Sequence, residues 1–364
     1  MDKTIESQNE TDKTYSFEKS GNFKSIGLIN DDKFSKLLKV QSTNDIKQEK
    51  FSKLYVIKIF KLLKNEEKNI QYKALEISEL GAIFHNSMEI DDMEQNQARY
   101  ISDLLNVKTI NEVDILRSIT HPNILEPIEF KIKDNANGLW MLFNFFPTNI
   151  GEFFKRNTKK GNLITESFFK TISMQIIQAV SYLHENLIIH RNLKPDNIIF
   201  NESKNQILIS GFGLCKKISF DYTINDEKNI GSLSYKPPDV LLGNKYYVGS
   251  LDVWSIGCII VELIIGRVLF QGNNELEVLN SIYRLFEINE INESKSNNNI
   301  NQKIFSLLTS NRKTNLLINY IKNFSMINFE NDDFYDLIQK MITIDPVRRI
   351  TLEDCLKHSW FTKK

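Results

Sequence analysis

Alternating apolar and polar positions predict β-strands in the first part of the chain, residues 34–146. In KLYVIKIF, residues 53–60, the side chains of Leu54, Val56 and Lys58 fall on one face of a strand, so a cation stands beside apolar groups. Residues 62–106 are charged and only weakly periodic, which is typical of an insertion. Residues 1–33 are polar without a sustained period, and we expect a disordered tail there.

Beyond Pro147 the spacing of apolar residues becomes helical. Apolar residues recur at three- and four-residue steps after Thr165, a good N-cap residue, and predict one amphipathic helix: Phe169, Ile172, Ile176, Ala179 and Leu183. Two short strands follow at 198–200 and 207–209, joined by the turn-forming NESKN. Helices dominate from Val253, interrupted by an Asn-rich surface loop at 289–303. The pattern predicts an α+β fold, with a small β-rich part followed by a larger helical part at 147–361.

Composition and charge exclude several classes of function. The 364 residues include 46 Lys and Arg against 46 Asp and Glu, so no net charge attracts nucleic acid or an anionic membrane. The most apolar run, WSIGCIIVELII at 254–265, contains Glu262 and is shorter than the roughly 20 residues that span a bilayer. We interpret it as a buried helix. Three cysteines without CxxC spacing and a polar N-terminus indicate a reduced, intracellular protein, cytoplasmic or nuclear.

Residues 188–200, IIHRNLKPDNIIF, combine a β-rich frame with a concentrated set of polar side chains. His190, Arg191, Asn192, Lys194 and Asn197 could converge on a phosphate group. The position best suited to a proton acceptor, however, holds the amide of Asn192. The segment therefore predicts a phosphate-directed site that lacks a base.

Five motifs in the same order give the chain a family resemblance. They are IIHRNLKPDN, ISGFGLCK, YKPPDVLLG, LDVWSIGCIIVELIIGRVLFQG and DPVRRIT. Together they resemble the eukaryotic protein kinases, most closely the cyclin-dependent kinase group, over residues 34–361. The resemblance implies a bilobal fold, with a small β-rich N-lobe carrying one αC helix and a larger, mainly helical C-lobe. It also implies ATP as the phosphate donor and Mg²⁺ as its counterion.

Only part of the nucleotide-binding pattern is kept. Lys58 resembles the lysine that contacts the α- and β-phosphates, and Glu112 resembles its αC partner. Val56 stands where the family has Ala against adenine, and overpacking of this kind costs about 1–3 kcal/mol. If FSKLLKV is the strand that enters the glycine-rich loop, that loop has no glycine, since none occurs between Gly27 and Gly81. We expect weak ATP binding at most.

The parts of the pattern that carry the chemistry are missing. Gly211 replaces the Asp of DFG, and Asn197 alone is a poor match for Mg²⁺, so we expect no productive metal site. Asn192 replaces the Asp of HRD, and the loss of a general base costs on the order of 10²–10⁴ in rate. Asp196 fills a variable position of the motif, and we do not expect it to replace the base.

The resemblance also assigns scaffold roles, and these residues are kept, except that Asp239 stands for the family's usual Glu. The hydrophobic spine contains Leu116, His190 and Phe212, and Arg191 belongs to the same catalytic-loop motif. The buried aspartate that holds the HRD backbone corresponds to Asp252, and the ion pair that anchors the activation segment corresponds to Asp239 with Arg349. A cyclin is a candidate partner for this group, but NVKTINE at 106–112 replaces its PSTAIRE signature.

Three functions remain open from the sequence. The first is an inactive kinase, a pseudokinase, that acts as a scaffold or allosteric partner of an unidentified protein. The second is an active serine/threonine kinase in which Asp196 or residues 62–106 supply the missing carboxylate. The third is a purely structural protein that binds no nucleotide.

Overall fold

The computed structural model describes ten segments of the chain: residues 13–17, 20–31, 35–44, 53–61, 107–132, 139–218, 231–243, 249–286, 315–329 and 332–363. The chain divides into two compact units. The first contains Met1–Thr120 and Leu125–Pro147, and the second contains His121–Ile124 and Thr148–Lys364. The expected insertion at 62–106 and the Asn-rich loop at 289–303 lie outside the described residues.

Six antiparallel strands form the sheet of the first unit. They are β1 Thr14–Phe17, β2 Gly21–Asp31, β3 Ser35–Ser42, β4 Leu54–Phe60, β5 Glu129–Ile132 and β6 Leu139–Asn144. Their order across the sheet is β1-β2-β3-β4-β6-β5. Helix α1, Val107–Ser118, belongs to the same unit. The unit is β-rich, as the sequence predicts.

Strands β1 and β2 show that the expected disordered tail at residues 1–33 was wrong for residues 14–17 and 21–31. Tyr15 and Phe17 point to one side of β1 and are buried, and Phe23 of β2 is 2% exposed. The ring of Tyr15 meets that of Trp140 edge to face, with the centroids 5.0 Å apart. Because these rings bury a large apolar area, they order a segment in which most other residues are polar or exposed.

The β1–β2 turn is tied to the far end of the sheet. Both the backbone N–H and the hydroxyl of Ser20 donate to Oε2 of Glu129 on β5, at 2.8 and 2.5 Å. The two edge strands of the sheet, β1 and β5, therefore approach each other, and the sheet curves around a hydrophobic core. That core contains Tyr15, Phe17, Phe23, Leu38, Val40, Ile57, Trp140 and Leu142.

The pairing of β2 with β3 corrects the register assumed for the glycine-rich loop. Leu37 of β3 pairs with Asn30 of β2 on one side and with Lys58 of β4 on the other. FSKLLKV is therefore the strand that leaves the hairpin, and β2, which contains Gly27, enters it. The connecting residues 32–34 contain no glycine, so the expectation of a glycine-poor hairpin is unchanged.

The second unit is mainly helical. Its helices are α2 Ile150–Lys159, α3 Glu166–Glu185, α4 Pro238–Leu241, α5 Ser250–Ile265, α6 Glu275–Leu285, α7 Asn315–Phe324, α8 Asp333–Met341, α9 Leu352–Leu356 and α10 Ser359–Thr362. Four short strands accompany them: β7 Ile188–Ile189, β8 Ile198–Asn201, β9 Gln206–Ile209 and β10 Lys216–Lys217. The predicted α+β class is confirmed.

Helices α3 and α5 form the centre of this unit. Thr165 caps α3, since its hydroxyl accepts a hydrogen bond from the backbone N–H of Phe168 at 3.2 Å. The apolar run at 254–265 lies within α5, which is buried along almost its whole length. Within the described ranges, no helix is long and apolar enough to cross a bilayer. The hairpin β8–β9 packs on α3. It positions the segment before β8, which contains Asn192 and Asn197, and the segment after β9, which contains Gly211.

Candidate functional site

Lys58 and Glu112 form an ion pair in the first unit. The ammonium group of Lys58 on β4 lies 2.6 Å from Oε1 and 2.7 Å from Oε2 of Glu112 on α1. The Glu112 side chain is only 7% exposed, so its charge depends on this cation. The structure thus brings together the two residues that the sequence predicted as partners.

Val56 lies on the same face of β4 as Lys58. Its cross-strand neighbour is Lys39, whose ammonium group lies 4.4 Å from the centre of the Phe145 ring. Because cross-strand partners share a face, Lys39, Val56 and Lys58 form one surface of the sheet. Val56 is half-buried, and its predicted effect on adenine binding stays a prediction.

In the second unit, Asp252 of α5 holds the loop that precedes Asn192. Its carboxylate accepts hydrogen bonds from the backbone N–H of His190 at 2.8 Å and of Arg191 at 2.9 Å. His184 contacts the same carboxylate at 2.9 Å. Burial alone raises the pKa of Asp252, but its contacts with His184 and His190 outweigh burial and lower the pKa. The ionised carboxylate fixes a turn in which Arg191 has a positive φ of 64°.

His190 is a core residue. Its ring packs edge to face on Phe212 with the centroids 5.3 Å apart, and it is fully buried. Nδ1 faces the backbone N–H of Asn192 and Nε2 faces the carbonyl oxygen of Ser210 at 3.0 Å, so Nε2 carries the proton. Burial lowers the pKa of His190. Leu116, the third predicted spine residue, is buried within α1 of the first unit.

The polar side chains after His190 are occupied by local partners. The amide oxygen of Asn192 lies 3.3 Å from the hydroxyl of Ser232, which donates to it. Lys194 pairs with Asp196, with Nζ and Oδ2 separated by 3.0 Å. Asp196 is exposed, and its carboxylate forms an ion pair with this lysine.

Asn197 and Gly211 lie against each other. Gly211 has a φ of +86°, and a β-carbon added to it would lie 2.7 Å from Cγ, 2.8 Å from Nδ2 and 2.9 Å from Oδ1 of Asn197. The carboxamide nitrogen of Asn197 donates to the carbonyl oxygen of Asn192 at 2.8 Å. The Asn197 side chain therefore fills the space in which a carboxylate at position 211 would have to begin.

This arrangement does not fit Mg²⁺. Magnesium requires an octahedral set of oxygen ligands and is held in proteins through carboxylates. Position 211 supplies no side-chain oxygen, and Asn197 supplies a neutral amide. The donor set around Asn197 is that of an amide-to-backbone contact.

Asp239 and Arg349 form a buried ion pair in the second unit. The guanidinium Nη2 lies 3.0 Å from Oδ1 of Asp239, and both side chains are at most 2% exposed. Three more guanidinium hydrogens are donated to the carbonyl oxygens of Thr343, Ser250 and Ile344. Four of the five N–H donors of Arg349 therefore have an acceptor, and additional hydrogen bonds of this kind are what a buried ion pair needs.

A second polar cluster beside Asn192 was not predicted. The hydroxyl of Tyr235 donates to Oε2 of Glu262 at 2.6 Å, and Lys236 lies 3.6 Å from Glu275. Burial, together with the charge of Asp196, raises the pKa of Glu262. Glu262 is the one carboxylate in the apolar run 254–265, and that isolation is the sequence signal that could have identified it.

Comparison with known proteins agrees with this geometry. The family described as "Protein kinase domain" matches residues 86–361. A "Probable cyclin-dependent kinase 10" of Dictyostelium discoideum is 32% identical over 255 residues, which cover 70% of this chain and 66% of that protein. A "Cyclin-dependent kinase 1" of Encephalitozoon cuniculi is 31% identical over 254 residues, covering 70% of this chain and 81% of the relative.

The family match and the side-chain contacts of the second unit both relate this chain to the protein kinases. The matched region contains the Asp252 and Arg349 networks, and the relatives are of the cyclin-dependent kinase type. Strands β1–β4, including Lys58, precede the matched residues. The chain belongs to the protein kinase domain family.

Proposed function

We propose that this protein is a pseudokinase, a kinase fold that acts by binding a protein partner as scaffold or allosteric regulator and does not transfer phosphate. The observation that carries the proposal is the contact of Gly211 with Asn197. Phosphoryl transfer depends on metal ions that bridge and neutralise the phosphates. Here the position of the metal-binding carboxylate has no side-chain oxygen, and a side chain placed there would have to displace the carboxamide of Asn197.

The environment of Asn192 supports the same proposal. An amide cannot accept a proton near neutral pH, and the amide oxygen of Asn192 already receives the hydroxyl of Ser232. General-base catalysis contributes about 10²–10⁴ in rate, so this loss adds to that of the metal. Asp196 is committed to Lys194 in an exposed pair.

Nucleotide binding, in this proposal, is weak and independent of Mg²⁺. Lys58 keeps its Glu112 partner and can present its ammonium group to a phosphate. No cofactor is required for the binding function. The protein partner is unidentified, and the altered sequence at 106–112 gives no basis for selecting a cyclin.

The intact Lys58–Glu112 pair favours one alternative, an active serine/threonine kinase of the cyclin-dependent type. The names of the relatives agree with it. This alternative needs a carboxylate from Asp196 or from residues 62–106 to replace those missing at positions 192 and 211. A third reading, a structural protein without nucleotide, differs only in its response to ATP.

Transfer of labelled phosphate from ATP to a generic protein substrate tests the proposal. The full chain, incubated with Mg²⁺, should give no more product than its Lys58→Met variant. Mg²⁺-dependent transfer that the Lys58→Met change abolishes would falsify the pseudokinase proposal and establish the alternative.

Thermal unfolding with ATP separates the two inactive readings. A ligand that binds the native state raises the melting temperature. An equal rise with and without Mg²⁺, lost in Lys58→Met, supports metal-independent nucleotide binding. No rise at millimolar ATP supports the purely structural protein.

A further inference from the structure

Helix α7 exposes a row of apolar side chains beside Arg267. Leu316, Tyr320 and Phe324 stand at every fourth position, and Leu316 and Phe324 are 40% and 47% exposed. The adjacent face of α7 is already used by the core, since Leu317 and Ile321 are fully buried. The helix is therefore apolar on a second face that the described core does not cover.

Arg267 and Met326 complete this surface. Met326 is 42% exposed, and its terminal methyl lies over Gly266, where an added β-carbon would come within 3.2 Å. Arg267 follows Gly266 directly at the end of α5. We call the five side chains the Arg267 patch: Arg267, Leu316, Tyr320, Phe324 and Met326.

The guanidinium group of Arg267 is stacked on aromatic rings. Its Cζ lies 4.2 Å from the centre of the Phe324 ring and 5.3 Å from that of Tyr320. The two rings are themselves 4.9 Å apart. Stacking fixes the plane of the guanidinium and leaves its edge N–H groups available to an anion. Among the described residues, no carboxylate forms an ion pair with Arg267.

We propose that the Arg267 patch binds an acidic segment of a protein partner, in which an Asp or Glu carboxylate pairs with Arg267 and neighbouring apolar side chains cover Leu316, Phe324 and Met326. Arginine and aromatic residues are enriched among the side chains that dominate interface energies. The proposal does not depend on whether the protein transfers phosphate.

The composition of the patch selects this occupant over others. A purely apolar partner would remove the guanidinium from water without a counter-charge, which is costly. A nucleic acid gains affinity from several phosphate contacts at once, and the patch has one cation. A small anion alone would leave the apolar side chains uncovered.

Selection from a displayed library of random 12-residue peptides tests the proposal. The library is first depleted on an Arg267→Gln/Phe324→Ser variant and then selected on the full wild-type chain. We expect the enriched peptides to contain Asp or Glu within four residues of Leu, Ile or Phe. Labelled peptides should bind Arg267→Gln about tenfold more weakly than wild type, since arginine is enriched among the few interface residues that dominate binding.

Two matched changes serve as controls. Lys160→Gln and Leu163→Ser remove an exposed charge and an exposed apolar side chain elsewhere in the second unit, and should leave peptide affinity unchanged. Replacing the peptide Glu by Gln should weaken binding as much as Arg267→Gln does, without altering the protein. This arm, and the Met326→Gln variant, keep the test valid if Arg267→Gln does not fold.

Several outcomes would overturn the proposal. They are the absence of enriched peptides, a consensus without an acidic residue, and equal affinity for the wild type and Arg267→Gln. Sedimentation of the protein alone tests a second copy as the occupant. Self-association that Arg267→Gln abolishes would assign the patch to a homodimer and reject the acidic partner.

Discussion

The α-carbon of Gly211 packs so closely on the carboxamide of Asn197 that a β-carbon there would lie 2.7 Å from Cγ. Real β-carbons do not approach other atoms this closely. A side chain at position 211 would therefore require the carboxamide of Asn197 to shift from its present position.

Gly211→Ala should lower the free energy of unfolding by about 1–3 kcal/mol more than Gly161→Ala does. Both glycines have positive φ, +86° and +68°, so both variants bear the backbone strain, but no atom lies within 4 Å of a β-carbon at Gly161. Urea unfolding of the two variants gives the difference. Asn197→Ser should recover part of the loss at position 211. Equal losses at the two glycines would mean that Asn197 moves aside freely.

Restoring the two family carboxylates should not restore phosphate transfer. In an Asn192→Asp/Gly211→Asp variant, the new side chain at 211 meets Asn197, and residues 32–34, which connect β2 to β3, still contain no glycine. Labelled ATP with Mg²⁺ should give product at the level of the Lys58→Met control. Mg²⁺-dependent activity of the double variant would show that the metal site reopens once its ligand returns.

Lys58→Met should destabilise the protein by about 1–3 kcal/mol, because it leaves the buried carboxylate of Glu112 without its hydrogen-bond donor. Urea unfolding at neutral pH measures the loss. Lys58→Met/Glu112→Leu should be more stable than Lys58→Met alone, since the unpaired charge is gone. A matched surface change, Lys357→Met, removes an exposed lysine of a helical pair and should cost less than 1 kcal/mol. If the two lysine variants lose the same stability, the Lys58 pair is solvated in solution.

Arg349→Met should cost about 3–5 kcal/mol, the range found when one partner of a buried ion pair is removed. Asp239 would keep a buried charge, and three backbone carbonyl oxygens would lose their donor. Arg349→Lys should recover little, since an ammonium group cannot reach all four acceptors. Arg348→Met, at an exposed neighbour, is the control. A loss below 1 kcal/mol for Arg349→Met would contradict the contact network.

Stability should fall as the pH drops from about 6.5 to 5, in part through His190. Burial lowers the pKa of His190, so in this window the unfolded state binds a proton that the folded state excludes. His190→Phe removes the titration but keeps an aromatic ring against Phe212, and should flatten the slope. Asp252 titrates below its ordinary pKa of 3.8, outside the window. Identical slopes for wild type and His190→Phe would show that other groups cause the dependence.

Much of the fold could be predicted because its signals are local or repeated. The cap at Thr165 and the apolar spacing after it define α3, and the apolar run at 254–265 defines most of α5. Strands β1 and β2 were missed because Tyr15, Phe17 and Phe23 are buried by packing in one core with Trp140, which lies more than a hundred residues away in the sequence. Residues 32–34, which connect β2 to β3, contain no glycine, so the sequence offered no motif with which to align this hairpin. The assumed alignment placed FSKLLKV before the turn, although it is the strand that follows it.

The candidate site divides in a similar way. Contacts between charged partners, such as Lys58 with Glu112 and Asp239 with Arg349, follow from residue type and motif position. The contact of Gly211 with Asn197 does not, because the sequence shows that a side chain is missing at position 211 but not which neighbouring side chain lies against that position. The stacking of Arg267 likewise depends on α7, which is distant in sequence.

The position of strand β1 determines where the N-terminal boundary of an expressed protein should lie. The family match begins at residue 86, and a boundary drawn there or at residue 34 would delete β1 and β2. Trp140 would lose its contact with the ring of Tyr15. The apolar side chains that β1 and β2 cover would face water, at a cost of about 25 cal/mol per Å² of exposed apolar surface. A shortened protein of this kind would be prone to aggregate. Purification tags therefore belong at the C-terminus or ahead of residue 13.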